Sequence, residues 1–323
     1  MNSKYRLLLP VCAAALLSIA LPDSSSGQQA SEKQTKSATE FIRLTKQGED
    51  LQALQTAIVR YALQSDSKTT VDLIGAVHIG EASYYSTLNS LFEDYDVVLY
   101  ELVAPEGTRI PKGGTGKRST NPISFMQVSA QRFLGLESQL QLVDYTPENF
   151  KHADLSPADM AEKMAERGES TFSLLMGAVT EMMNDDEMKK KLSSENAGFS
   201  LGDIADMMSD PLKAKRFMAQ QMGSMENMEA GLGSKLSRLI VDDRNEAAMK
   251  VLDEVLEDGQ KKVAIFYGAA HMADFEERLA KRDFSPASQS WLTAWDLTKS
   301  HAAKPKSDSA MSLLMQLMKE LDN

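Results

Sequence analysis

Residues 69–101 read TTVDLIGAVHIGEASYYSTLNSLFEDYDVVLYE, and their pattern decides the fold class. Thr69 to Gly75 is rich in β-branched residues and predicts a strand. Ala82 to Asp94 then places Tyr84, Leu88, Leu91 and Phe92 on one helical face, and Asp96 to Glu101 is a compact apolar run that ends on an acid. Strand, helix, strand in that order predicts a parallel crossover and an α/β sheet. Upstream, Thr56 to Leu63 forms a second extended run, joined to the first across the polar cluster Ser65-Asp66-Ser67-Lys68, so the two predict a hairpin.

The same grammar returns late in the chain. Asp242 is placed to cap a helix from about Asp243 to Glu257, and Lys262 to Gly268 is the next apolar strand. A helix from Met272 to Lys281 and a final strand pair near Ser285 to Leu297 complete the pattern. The α/β domain, about 50–300, is thus divided into halves of about 50–150 and 236–300. A helical insertion of about 151–235 separates them, opened by Ser156-Pro157 with proline at a first helical position.

Each half carries one Gly-x-x-His motif directly after an apolar strand: Gly75-Ala76-Val77-His78 and Gly268-Ala269-Ala270-His271. Glu101 ends a third strand, a costly place for a charge unless it is paired, bonded or on a metal. The carboxyl ends of neighbouring strands are where open α/β sheets bind ligands. Two imidazoles and a carboxylate can hold a catalytic divalent ion with open positions for water and substrate. For each group a structural role stands beside the functional one: a hydrogen-bonded strand-end histidine for His78 and His271, and an ion pair at the sheet rim for Glu101. Arg244 and Asn245 would lie in the first turn of a helix, where a cation opposes the dipole unless an anion faces it. Arg244 then holds a substrate carboxylate or an oxyanion, orients Glu101, or pairs with Asp242 or Asp243. Glu81 could support His78 or act as a base. Of Tyr84 and Tyr85, one should pack while the other faces the site. His152 and His301 lack such settings.

Composition narrows the chemistry. The 323 residues are 42% hydrophobic and 25% charged, which suits a globular chain. A formal charge of −11, from 46 acids and 35 bases, argues against nucleic acid as a partner. A single cysteine, Cys12, excludes intrachain disulfides and zinc fingers and leaves His and carboxylate as the strong metal ligands. Residues 1–27 read as a signal peptide: Lys4 and Arg6 precede an apolar run from Leu7 to Leu21 that is shorter than the roughly 20 residues of a spanning helix. The expected location is exported, periplasmic or secreted, with membrane association through an uncleaved N-terminal segment as the alternative. Residues 301–323 read as a linker and a helix with Met311, Leu314, Met315, Met318 and Leu321 on one face. Of 19 methionines, twelve fall between Met160 and Met228, including Met218, Met222, Met225 and Met228 at helical spacing. Core packing and an adaptable surface for peptide-like or lipidated ligands are the two main readings of that excess, and copper binding a third that has no histidine or cysteine in the segment to support it.

Gly75-Ala-Val-His78-Ile-Gly-Glu-Ala-Ser83 with its helix, Val97-Val-Leu-Tyr-Glu101, Asp243-Arg244-Asn245 and Gly268-Ala-Ala-His271 together resemble the TraB/PrgY/GumN family, which includes the Tiki metalloproteases. The resemblance spans about residues 55–297. It implies an erythromycin-esterase/ChaN-like α/β fold with a split sheet. For the Tiki branch it implies a divalent-metal peptidase, with His78, Glu101 and His271 as ligands, Glu101 and Arg244 in the catalytic set, and manganese or cobalt ahead of zinc. Arg244, Asn245 and Tyr84 are then the expected substrate contacts, and Glu81 a supporting group. Glu101 is followed by Leu102-Val103 where the family commonly carries an acidic residue. A peptide is the expected substrate; a non-catalytic peptide- or lipid-sequestering protein of the TraB/PrgY type, or a metal-dependent esterase, are the alternatives.

Overall fold

The computed structural model describes residues 39–105, 107–114, 131, 133–170, 173–174, 176–177, 180, 210–223 and 234–301. The expected signal peptide, the C-terminal helix, Met225, Met228 and five of the other ten insertion methionines (Met182, Met183, Met188, Met207 and Met208) lie outside them. The strands are β1 (Ile42–Gln47), β2 (Asp50–Leu63), β3 (Asp66–Ala76), β4 (Ile79–Gly80), β5 (Val97–Tyr100), β6 (Glu137–Ser138), β7 (Phe150–His152), β8 (Lys262–Gly268) and β9 (Phe284–Asp296). The helices are α1 (Ala82–Phe92), α2 (Gln139–Leu142), α3 (Pro157–Glu166), α4 (Pro211–Gly223), α5 (Ser234–Ser237), α6 (Asp243–Glu257) and α7 (Met272–Ala280).

The central sheet runs β1-β2-β3-β8-β5-β7, with β9 also paired to β2. β3, β8, β5 and β7 are mutually parallel, whereas β1, β2, β3 and β9 pair antiparallel. β8, late in sequence, enters between β3 and β5, so the crossover through α1 spans a place filled from the other half of the chain. β2 is long enough to take β9 along one edge and to share the other between β1 and β3.

Period-two alternation builds two cores on this sheet. Val71 and Leu73 of β3, Val97 and Leu99 of β5, and Val263, Ile265 and Tyr267 of β8 pack with Ala248, Leu252 and Val255 of α6 and Phe275 and Leu279 of α7. The intervening Ile74, Val98, Tyr100, Ala264 and Phe266 face Tyr84, Tyr85, Leu88 and Phe92 of α1 and Ala214 and Ala219 of α4. Burying each large side chain stabilises by roughly 1.5–3 kcal/mol relative to exposure, so both layers are held chiefly by this alternation. The parity also sets the site, because the residue after Tyr100 falls on the α6/α7 side, and that residue is Glu101.

Two local expectations are overturned. The strand pair near 285–297 is one strand, β9, whose pairing with β2 shifts register between Arg60 and Tyr61, next to the partner of Pro286. A shift there accommodates the missing proline N–H. Asp242 does not cap α6: it has helical backbone angles and makes no capping bond, because a π-helical turn, Arg238–Asp242, runs directly into the helix. Arg244 therefore lies ten residues into a continuous helical segment that starts at Ser234. β1 precedes residue 50 and β7 runs past residue 150, so the first half is wider than the sequence pattern drew it.

At the insertion, Ser156 forms a capping box with Asp159 ahead of Pro157. Met160 and Met164 pack with Leu155, Leu174 and Leu239, and Met218 and Met222 pack half-buried against the sheet core. Packing is thus what these four do. No helix among the described residues is long and apolar enough to cross a membrane.

Candidate functional site

β3, β8 and β5 are neighbours, and the sequence places one polar residue just beyond the carboxyl end of each. Three groups widely spaced in the chain meet there around the Cα of Gly268. A Cβ built on Gly268 would stand 3.3 Å from Glu101 Oε2, 3.7 Å from His271 Cδ2 and 4.0 Å from His78 Nε2. The absence of a side chain at this position is what leaves room for the cluster.

Glu101 is fixed at both oxygens. Arg244 Nη2 donates to Oε1 at 2.7 Å and Gly268 N–H to Oε2 at 2.7 Å. Burial by itself raises this carboxyl, but Arg244, the two imidazoles and the Gly268 amide outweigh it and hold Glu101 well below the usual carboxylate range. Arg244 is held in turn by Asp154, through Nε at 2.9 Å and Nη2 at 2.6 Å. Asp154 has no exposed side-chain surface, and burial raises its carboxyl despite Arg244. With both carboxylates ionised, the trio Glu101–Arg244–Asp154 carries one negative charge more than positive.

His271 is buried, and its tautomer follows from its neighbours. Asn245 donates through Nδ2 to His271 O at 3.0 Å and to Asp274 Oδ2 at 2.8 Å, which fixes the amide orientation. Its Oδ1, 2.7 Å from His271 Nδ1, therefore accepts the Nδ1 proton. Burial, with Arg244 and His78 acting in the same direction against the pull of Glu101, lowers the imidazole to about 3. At neutral pH, Nε2 is a bare lone pair, 3.8 Å from Glu101 Oε1.

His78 is held differently. The residue is exposed, while the carbonyls around it are tied down: Val77 O by Tyr85 Oη–H at 2.9 Å, His78 O by Gln139 N–H at 2.9 Å, and Ile79 O by Trp295 Nε1–H at 2.7 Å.

Comparison with protein-family models, with curated proteins and with solved structures returns no match.

The geometry reassigns several residues. Tyr84 is buried, with its hydroxyl on Thr56 Oγ1 and Gly75 O, so it supports the end of β3 and does not face a substrate. Tyr85 is buried as well, because the strand-end carbonyls Gly75 O and Val77 O both need donors in an apolar layer. Asn245 has no exposed surface and contacts His271 in place of a substrate. Arg244 is buried and faces Glu101 and Asp154, so the orienting role is the one its contacts match. Its expected partner Asp243 is instead bonded to Arg167 and lies 3.4 Å from Lys163. Glu81 turns to Lys215 Nζ, 2.5 Å away. His152 binds Leu102 O at 2.6 Å.

Sequence reasoning missed Asp154, Asp274 and Lys215. Asp154 carried a signal: like Glu101 it is an acid just after a short strand, here β7 and ahead of the Ser156 helix start. Lys215 carried none.

As they stand, no three His, Cys, Asp or Glu side chains among the described residues are gathered closely enough to hold a metal ion. The donor chemistry nevertheless fits a divalent cation. A histidine lone pair and a carboxylate oxygen lie 3.8 Å apart with no proton between them, beside a second imidazole.

Proposed function

We propose that this chain is an exported, divalent-metal-dependent hydrolase acting on peptide bonds, with the erythromycin-esterase/ChaN-like fold and TraB/PrgY/GumN affinity that its motifs suggest. The observation that carries this reading is the convergence of His78, Glu101 and His271 from three adjacent strand ends upon Gly268. These three side chains would hold the ion, manganese or cobalt ahead of zinc. Such an ion lowers the pKa of its bound water and polarises a carbonyl.

The chain's own residues prepare that chemistry. Arg244, anchored by Asp154, keeps Glu101 ionised and fixes the plane of its carboxylate. Asn245, anchored by Asp274, keeps the His271 proton on Nδ1 and directs Nε2 inward, as outer partners of ligating histidines do. The buried side of the site excludes water, which strengthens each electrostatic contact there. His78, on the exposed side, marks the side open to a substrate.

Elemental analysis of the purified protein, followed by incubation of a peptide panel with manganese-loaded enzyme, tests the reading. It predicts about one divalent ion per chain, and cleavage products that disappear with chelator and with Glu101→Gln. Unchanged metal content in a His78→Ala/His271→Ala variant overturns the site. Metal binding with no turnover of peptides returns the chain to the sequestering alternative, and turnover confined to esters selects the esterase.

A further inference from the structure

Among the described residues, helix α4 of the insertion reaches the His78 turn through a buried cation. Helix α4 packs against the sheet with Ala214 and Ala219 in the core. At its end a Cβ on Gly223 would stand 2.8 Å from the Leu44 side chain, so the helix lies tight on β1. Lys215, on the same helix, has no exposed surface, which is rare for lysine. Its Nζ is 2.5 Å from Glu81 Oε1, and the same oxygen accepts Asp296 N–H at 3.2 Å. The next residue, Arg216, donates to Leu297 O at 2.8 Å.

Two consecutive α4 side chains therefore tie the end of β9 to the end of the His78 turn. That turn is fastened to β9 a second time, through Trp295 to Ile79 O and through Glu81 N–H to Ala294 O at 2.9 Å. Among the described residues the His78 ring makes no hydrogen bond, so its place is set by its backbone. A buried ion pair is a poor stabiliser compared with an apolar pair of the same volume. What it supplies is direction, because an ammonium and an amide converge on one oxygen three residues from His78.

We propose that Lys215 is a positioning residue for His78: by holding Glu81, it makes the insertion helix part of the site. The inference rests on the metal-site reading above for its consequence, but not for its geometry. In the full-length chain, Lys215→Met should weaken Mn²⁺ binding by about 10- to 100-fold, the usual effect of losing an outer partner. In the metal-free protein the His78 ring resonances should shift and broaden while those of His152 stay in place.

Lys215→Met strands a buried carboxylate and can unfold the chain. The Lys215→Met/Glu81→Leu variant, which removes both charges, is the deciding one. It should fold, yet keep the weakened Mn²⁺ binding and the displaced His78 signals. Wild-type Mn²⁺ affinity and wild-type His78 resonances in that variant overturn the proposal. Should the unaltered protein bind no Mn²⁺, the metal reading falls, and the His78 resonances alone decide the role of Lys215.

Discussion

The two Gly-x-x-His turns are alike in sequence and opposite in construction. After β3, a Cβ built on Gly75 would meet Ala57 O, Phe41 O and the Ala269 side chain at ordinary contact distances of 3.5–3.6 Å, and the exposed residue His78 follows on a backbone pinned at successive carbonyls. After β8, Gly268 is the hub of the polar cluster, and His271 follows with a buried ring pinned at Nδ1. One imidazole is placed by its main chain and the other by its side-chain partner. A repeated motif is thus built by different means at its two occurrences, with the first histidine exposed and the second buried.

The largest effect should come from the charges behind the buried turn. Arg244→Met leaves Glu101 and Asp154 buried without their cation, and urea unfolding should show a loss of about 3–5 kcal/mol. A loss under 1 kcal/mol would mean that Arg244 does not hold the pair together.

Acid should separate the buried turn from the rest next. The His271 proton binds near 6.5 in the unfolded chain but only at about 3 in the folded one, so between those values the unfolded state holds more protons. Stability from this group is complete above about pH 6.5 and is lost as pH falls towards 3, and the depressed Glu101 carboxyl acts in the same direction at lower pH. Urea midpoints of metal-free protein should fall steadily from pH 6.5 to 4.5, and His271→Gln should flatten that slope. An equal slope in both proteins would contradict a buried neutral imidazole.

A sharper cut removes only the partner of the ring. Asn245→Leu frees Nδ1, so the ¹⁵N signals of His271 should show mixed tautomers and Mn²⁺ affinity should drop by about 10- to 100-fold. The His78 signals should not move, since that ring never depended on Asn245. The smallest and most discriminating change is methyl addition at each glycine. Gly268→Ala forces Glu101 Oε2 back from 3.3 Å and should weaken Mn²⁺ binding several-fold, whereas Gly75→Ala meets only ordinary contacts and should leave it near wild type. Equal effects at the two glycines would erase the asymmetry.

Much of the scaffold was legible because its strands are apolar runs bounded by turns. Lys262–Gly268 and Asp243–Glu257 stand where the pattern puts them, and the hairpin of β2 and β3 pairs as expected. β9 was misread as two strands, since Pro286 and the polar residues around it look like a break, although a register shift carries the strand through. β1 is half-exposed and gave no apolar run to find. At the site, His78, Glu101 and His271 were marked by their position after strands, which is a local property. The partners were not. Arg244 finds Asp154, and Glu81 finds Lys215, across long stretches of chain, and no spacing rule encodes which acid a buried cation will meet. Asn245 and Tyr84 were placed in the right neighbourhood with the wrong task, because sequence does not reveal whether a polar group faces inward to a backbone carbonyl or outward to a ligand.

β9 has a consequence for how the molecule is made. Ile58 lies opposite Ser290, so the strand that completes the sheet is synthesised long after the one it joins. Ala294, Trp295 and Asp296 at its end are also the groups that fasten the His78 turn and Glu81. During synthesis His78 emerges early and Tyr85 and Gln139 can hold Val77 O and His78 O, but Ile79 O and Glu81 wait for β9, a non-local closure of the kind that slows folding. A chain halted before β9 therefore carries the His78 turn with only part of its fastenings.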